Sequence, residues 1–139
     1  MMSEATRKPR WRMLVIDDSS FVRKLTTAVF EEIGFEVVTA ADGTEGARIG
    51  LDELFDVVVV DGVLPGLTGP DVCRKLAAQP PGRRPIIIFQ SMSMNDYSSR
   101  QAALSAGANL CLPKEALGNN LVAWVRQLLE ARQVMATAA

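Results

Sequence analysis

Residues 55–69, FDVVVVDGVLPGLTG, set an unbroken run of β-branched residues, Val57, Val58, Val59 and Val60, directly ahead of one carboxylate. The run is far too short to cross a membrane as a helix. A strand wetted on one face would alternate apolar with polar residues, and this one does not. It therefore predicts a central strand of a parallel sheet, covered on both faces. The run stops at Asp61, and a loop holding Gly62, Pro65, Gly66 and Gly69 follows. In open α/β sheets, ligands gather in the crevice beyond the carboxyl ends of the strands. Asp61 is a candidate site residue on that ground alone.

The rest of the chain repeats the same unit. Further strands are expected at 13–16, 36–40, 86–89 and 109–112. A helix opening at Ser19 or Ser20, either able to cap it, runs to about Ile33 with Val22, Leu25 and Val29 on one face, and Gly34 stops it. Asp42 and Gly43 form a turn or cap ahead of a helix through Ala47 and Leu51. A third helix starts at Pro70, tolerated in a first turn, and breaks at residues 79–82, QPPG. A fourth spans about 96–106 and ends at Gly107. The last runs from Leu117 to about Arg132, with Leu121, Val125 and Leu128 inward and Trp124 on its flank. Five strands alternating with five helices imply an α/β fold, a (βα)5 doubly wound parallel sheet with right-handed crossovers. The flavodoxin-like strand order 2-1-3-4-5 is expected, with its switch point between the first and third strands.

Composition narrows the function classes. A chain of 139 residues suits one domain: a flexible basic leader over 1–12, the folded domain over 13–132 and a short tail over 133–139. Arg7, Lys8, Arg10 and Arg12 around Trp11 belong to that leader and are read as solvated. A net charge of −1 gives no electrostatic signature of nucleic-acid binding. No apolar run reaches the roughly 20 residues of a membrane helix, and the first twelve residues lack the core of a signal peptide. No membrane insertion and a cytoplasmic location are expected. Cys73 and Cys111 are too far apart for a metal knuckle or redox pair and are read as buried thiols. With no His at all, an imidazole base and a His-containing zinc site are excluded.

The predicted strand order brings Asp17 and Asp18, after the first strand, beside Asp61. Residues 90–91 and Lys114 approach from the other side. Carboxylates crowded in one crevice raise one another's pKa and call for a cation. Mg²⁺ suits them, since it takes oxygen ligands and keeps several waters. Lys114 adds a mobile positive charge and Ser91 a hydroxyl donor. Together these could bind a phosphoryl group made on Asp61, with the carboxylate as nucleophile. Walker glycines and lysine are missing, so the group is not expected to arrive on a cradled nucleotide.

The acidic pair Asp17 and Asp18, the DGVLPGLTG segment from Asp61, a hydroxyl after the fourth strand and Lys114 after the fifth resemble the receiver domain of two-component response regulators. The resemblance covers about residues 12–132, with Pro65 and Gly69 four and eight residues after Asp61 as is usual in receivers. It implies that Asp61 accepts a phosphoryl group from a sensor histidine kinase or phosphotransfer protein. It also implies that Asp17, Asp18, Asp61 and the Val63 carbonyl hold Mg²⁺, and that Lys114 pairs with phosphoryl oxygen. Ser91 would be the hydroxyl that reshapes the surface of the fourth helix, fifth strand and fifth helix for a downstream protein target. Autocatalysed phosphoryl transfer and autodephosphorylation would be the only enzymology. Ending after its fifth helix, the chain is similar to the stand-alone, chemotaxis-type receivers.

Three positions depart from the receiver pattern. The strand PIIIF predicts the usual hydroxyl at position 90, which is Gln, whereas counting back from Gly107 places it near Met92. The loop is therefore expected to carry an extra residue or two, with Ser91 as the hydroxyl and Gln90 and Ser93 as alternatives. Cys111 stands where receivers have an aromatic residue three before the lysine, and Glu115 replaces the frequent proline after it. Gln90 and Cys111 support the alternative of a pseudo-receiver, a phosphorylation-independent interaction module. An FMN site of the flavodoxin type ranks last, because Asp17 and Asp18 would repel its phosphate.

Overall fold

The computed structural model describes residues 11–91, 97–114 and 119–138. Expectations for residues 1–10, for Met92 and Ser93, for Glu115, and for the helix starts at 96 and 117 lie outside them. The elements run β1 (Trp11–Ile16), α1 (Ser20–Glu32), β2 (Phe35–Ala40), α2 (Gly43–Asp52), β3 (Val57–Asp61), α3 (Gly69–Ala77), β4 (Ile86–Ser91), α4 (Tyr97–Ser105), β5 (Leu110–Pro113) and α5 (Asn119–Ala138), with a 3₁₀ turn at Pro81–Arg83. All strands are parallel, in the order β2-β1-β3-β4-β5. This is the expected flavodoxin-like α/β fold.

The four valines of β3 occupy the middle of the sheet and are 0–2% exposed. Burial of each contributes about 1.5–2 kcal/mol. Successive residues turn to opposite faces. Val58 and Val60 join Leu14, Ile16, Ile87 and Phe89 under α2, α3 and α4. Val57 and Val59 join Met13, Val15, Ile86 and Ile88 under α1 and α5, where Phe30, Leu121, Val125 and Leu129 close the core. Phe30 meets Phe35 edge to face at 5.1 Å.

Caps fall where short polar side chains precede helical runs. Ser19 Oγ accepts from Val22 N, Asp42 Oδ1 from Glu45 N and Thr68 Oγ1 from Asp71 N. Thr68 had not been anticipated. Gly34 and Gly107, just past α1 and α4, adopt positive φ.

Several expectations change. The buried residues of α1 are Thr26 and Phe30, with Leu25 exposed, because the buried arc centres near Phe30 and carries Leu25 to its edge. In α5 Leu129 is buried and Leu128 half-buried. That helix continues to Ala138 rather than Arg132, since residues 131–138, ARQVMATA, hold neither Gly nor Pro, and residues 131–137 stay helical even while exposed. β1 begins at Trp11, two residues earlier than expected. Arg12 is therefore part of the sheet rather than of a solvated tail. Its guanidinium donates to Glu36 at 2.8 Å, Glu53 at 2.7 Å and the Leu54 carbonyl at 2.8 Å, and lies over the Phe55 ring. No described helix is long and apolar enough to cross a membrane.

Candidate functional site

The parallel register aligns the strand ends. Ile16 lies opposite Val60, Asp61 opposite Gln90, and Ser91 opposite Pro113. The first residue beyond β1, the last of β3 and the first beyond β5 therefore meet at one edge. Asp17, Asp18 and Asp61 each bring one carboxylate oxygen within 4.8 Å of the other two. Asp17 and Asp61 are buried, at 1% and 2% exposure, while Asp18 opens to solvent.

Lys114 bridges the two buried carboxylates. Its Nζ donates to Asp61 Oδ2 at 3.0 Å and to Asp17 Oδ1 at 3.4 Å, and stands 3.1 Å from Asp17 Oδ2. The Oδ2 contact is an ion pair without hydrogen-bond geometry, for among the described residues Asp17 Oδ2 accepts no hydrogen bond although it is buried. Asp17 Oδ1 accepts from Ser19 N at 2.9 Å, and Arg23 donates to the Asp17 carbonyl at 2.8 Å. Asp61 Oδ1 accepts from Val63 N at 3.3 Å.

These surroundings set the charge states. Burial raises the Asp61 carboxyl above the usual carboxylate range; the Lys114 hydrogen bond opposes this, and repulsion from Asp17 adds to it. Burial pulls Lys114 down, but its hydrogen bonds to Asp61 and Asp17, with their charges, outweigh that and hold it above its ordinary value. One ammonium thus faces three carboxylates. The excess negative charge and the unused lone pairs of Asp17 Oδ2 suit a hard divalent cation.

The loop after β3 is held by close backbone approaches. A Cβ at Gly69 would stand 2.6 Å from the Asp61 carbonyl and 2.9 Å from the Phe89 ring. Gly43 N donates to the Pro65 carbonyl at 3.0 Å, and Gly62 N to the Gln90 carbonyl at 2.8 Å. Any side chain at Gly69 would push the loop off Asp61.

Asp17, Asp18, Asp61 and Lys114 are brought together, with Val63 beside them through its backbone. Ser91 lies in β4, one residue past the partner of Asp61. Gln90 is that partner; it is 2% exposed, and among the described residues its Nε2 donates to nothing. Its signal in the sequence was position alone, directly after the apolar run 86–89. Cys111 is half-buried in β5, and Cys73 is fully buried.

The family model of the response regulator receiver domain matches residues 13–126. The chain is 34% identical over 118 residues to a protein described as the probable transcriptional regulator ycf27 of Cyanophora paradoxa, covering 85% of this chain and 48% of that one. It is 35% identical over 118 residues to the response regulator MprA of Mycobacterium sp. (strain KMS), covering 85% and 50%. The chain spans about half the length of the curated relatives it matches. In fold it is similar to a CheY-like receiver domain protein from Methanospirillum hungatei JF-1, with a TM-score of 0.83 at 24% identity over 90% of this chain and 98% of that one.

Proposed function

The chain belongs to the response regulator receiver domain family, and from that premise we propose that it is a phosphorylatable signalling switch whose acceptor is Asp61. The observation that carries the proposal is the bridge from Lys114 to two buried carboxylates beside exposed Asp18.

In this reading, an Asp61 oxygen attacks phosphorus of a phosphohistidine on a sensor kinase or phosphotransfer protein. The O–P bond forms as the N–P bond breaks, and imidazole leaves with the electron pair. Lys114 holds Asp61 in place and then faces the phosphoryl oxygens, where its positive charge meets roughly −1.5 to −2 of new charge. Asp17, Asp18, Asp61 and the Val63 carbonyl would hold Mg²⁺. That ion, when bound, supplies charge neutralisation at the transferring group. Ser91 follows the acceptor's strand partner and serves as the hydroxyl that reports phosphorylation toward α4, β5 and α5. The product acts on a downstream protein in the cytoplasm, with no direct nucleic-acid contact from this domain.

Acetyl phosphate with Mg²⁺ tests the reading by intact mass. A gain of one phosphoryl group that disappears with EDTA and in Asp61→Asn is expected. No gain in the unmutated protein would favour the second reading, a phosphorylation-independent interaction module, which Gln90 in the hydroxyl's place and Cys111 in the aromatic's support.

A further inference from the structure

A cavity of about 470 Å³ opens between α1 and the edge strand β2, lined by Ser20, Arg23, Lys24, Thr27 and Glu31 of the helix and by Thr39 of the strand. That volume is within the roughly 300–1,000 Å³ of small-molecule sites. The helix residues recur at three- and four-residue spacings, which sets their side chains along one face.

The charges along this face are left unmatched. Among the described residues, Arg23, Lys24 and Glu31 form no ion pair. A helix surface pairs opposite charges three or four residues apart; here Ala28 stands four residues past Lys24, and Thr27 four before Glu31. Seven residues separate Lys24 from Glu31, so at 1.5 Å per residue they stand about 10.5 Å apart along the axis and cannot neutralise each other. Arg23 spends one N–H on the Asp17 carbonyl at 2.8 Å. That bond fixes the guanidinium at one end of the cavity and leaves its other donors for a carboxylate, whose geometry the planar fork matches. Thr27 Oγ1 donates to the Arg23 carbonyl at 2.7 Å, so toward the cavity it can only accept. Ser20 and Thr39 add hydroxyls that both donate and accept.

We propose that this cavity binds a small zwitterion of the class of short peptides with free termini. Its carboxylate meets Arg23 and Lys24, its ammonium meets Glu31, and a main-chain N–H between them donates to Thr27. Three extended residues span about 10 Å, which matches the separation of Lys24 from Glu31. The site is distinct from the carboxylate cluster and does not rest on phosphorylation of Asp61.

Triglycine is the probe, titrated into the isotope-labelled full chain and followed by amide NMR. Triglycinamide, which lacks the carboxylate, and N-acetyltriglycine, which lacks the ammonium, are titrated beside it. Shifts in α1 and at Thr39 should saturate with triglycine in the millimolar range. Both capped forms should bind at least about threefold more weakly, the scale of an exposed ion pair. Lys24 and Glu31 are exposed, so their variants keep the fold. Glu31→Gln should weaken triglycine to the same degree and erase its advantage over the acetylated form. Lys24→Gln should narrow its advantage over the amide. Equal affinity for the three peptides would overturn the proposal. So would the lack of a saturating shift with triglycine, saturation away from α1 and Thr39, or a Glu31→Gln variant that still tells triglycine from its acetylated form.

Discussion

Replacing Asp61 by Asn is expected to raise the melting temperature of the metal-free protein by about 7 °C. At the 4.8 Å that bounds the carboxylate cluster, Coulomb's law with an effective dielectric of about 20 gives roughly 3 kcal/mol of repulsion per pair. Asp18 is exposed, and its contribution is screened to a fraction of that. The Lys114 contact at 3.0 Å returns about 5 kcal/mol on the same scale. Charge terms at Asp61 therefore nearly cancel. What remains is the desolvation of a carboxylate that is 2% exposed, worth several kcal/mol for an isolated ion. Some is recovered by the Val63 N–H, and Lys114 keeps Asp17 as partner, so a net gain of about 2 kcal/mol is expected for Asn. An unfolding entropy of about 2.1 cal/mol/K per residue converts this to roughly 7 °C. Melts followed by circular dichroism in EDTA test it. Mg²⁺ at a hundred times its Kd should add about 2.7 kcal/mol to the unmutated protein and much less to the variant. A lower melting temperature for Asp61→Asn in EDTA would refute the reasoning, since the Lys114 pair would then outweigh carboxylate burial.

Gly69→Ala should destabilise by about 2 kcal/mol and weaken the Mg²⁺ response, because its Cβ meets the Asp61 carbonyl at 2.6 Å; urea titration with and without Mg²⁺ measures both. Arg12→Ala removes two partly exposed ion pairs and the Phe55 contact. A loss of about 1–2 kcal/mol is expected, smaller in 1 M NaCl; a loss below about 0.5 kcal/mol would show the pairs to be idle. Burial pushes the Cys73 thiol up to about 12, so at pH 8 it stays protonated. Labelling with a thiol reagent should reach Cys111 first, and Cys73 only on unfolding or as the pH climbs toward that value. Equal rates in the folded protein would contradict its burial.

Asp61→Asn is predictable from sequence in its target but not in its sign. The run of four valines ending in a carboxylate, the helix stops at Gly34 and Gly107, and the cap at Asp42 are local patterns. Periodicity and turn chemistry act over a few residues, so the elements, their parallel pairing and the acidic pair after the first strand could be read directly. Strand boundaries were less legible: Arg12 looks like part of a basic tail until Glu36 from one segment, and Glu53 and Phe55 from another, are brought to it.

The tertiary structure alone decided how the candidate site is charged and filled. That Lys114 bridges Asp61 to Asp17 rather than pointing into water depends on the strand ends aligning across 97 residues of chain. Gln90, an ordinary polar residue in the sequence, becomes a buried donor only because the register sets it against Asp61 under full cover. Secondary structure follows from neighbours along the chain. Burial and the distance between charges follow from neighbours in space, and no residue pattern carries those until the sheet is assembled.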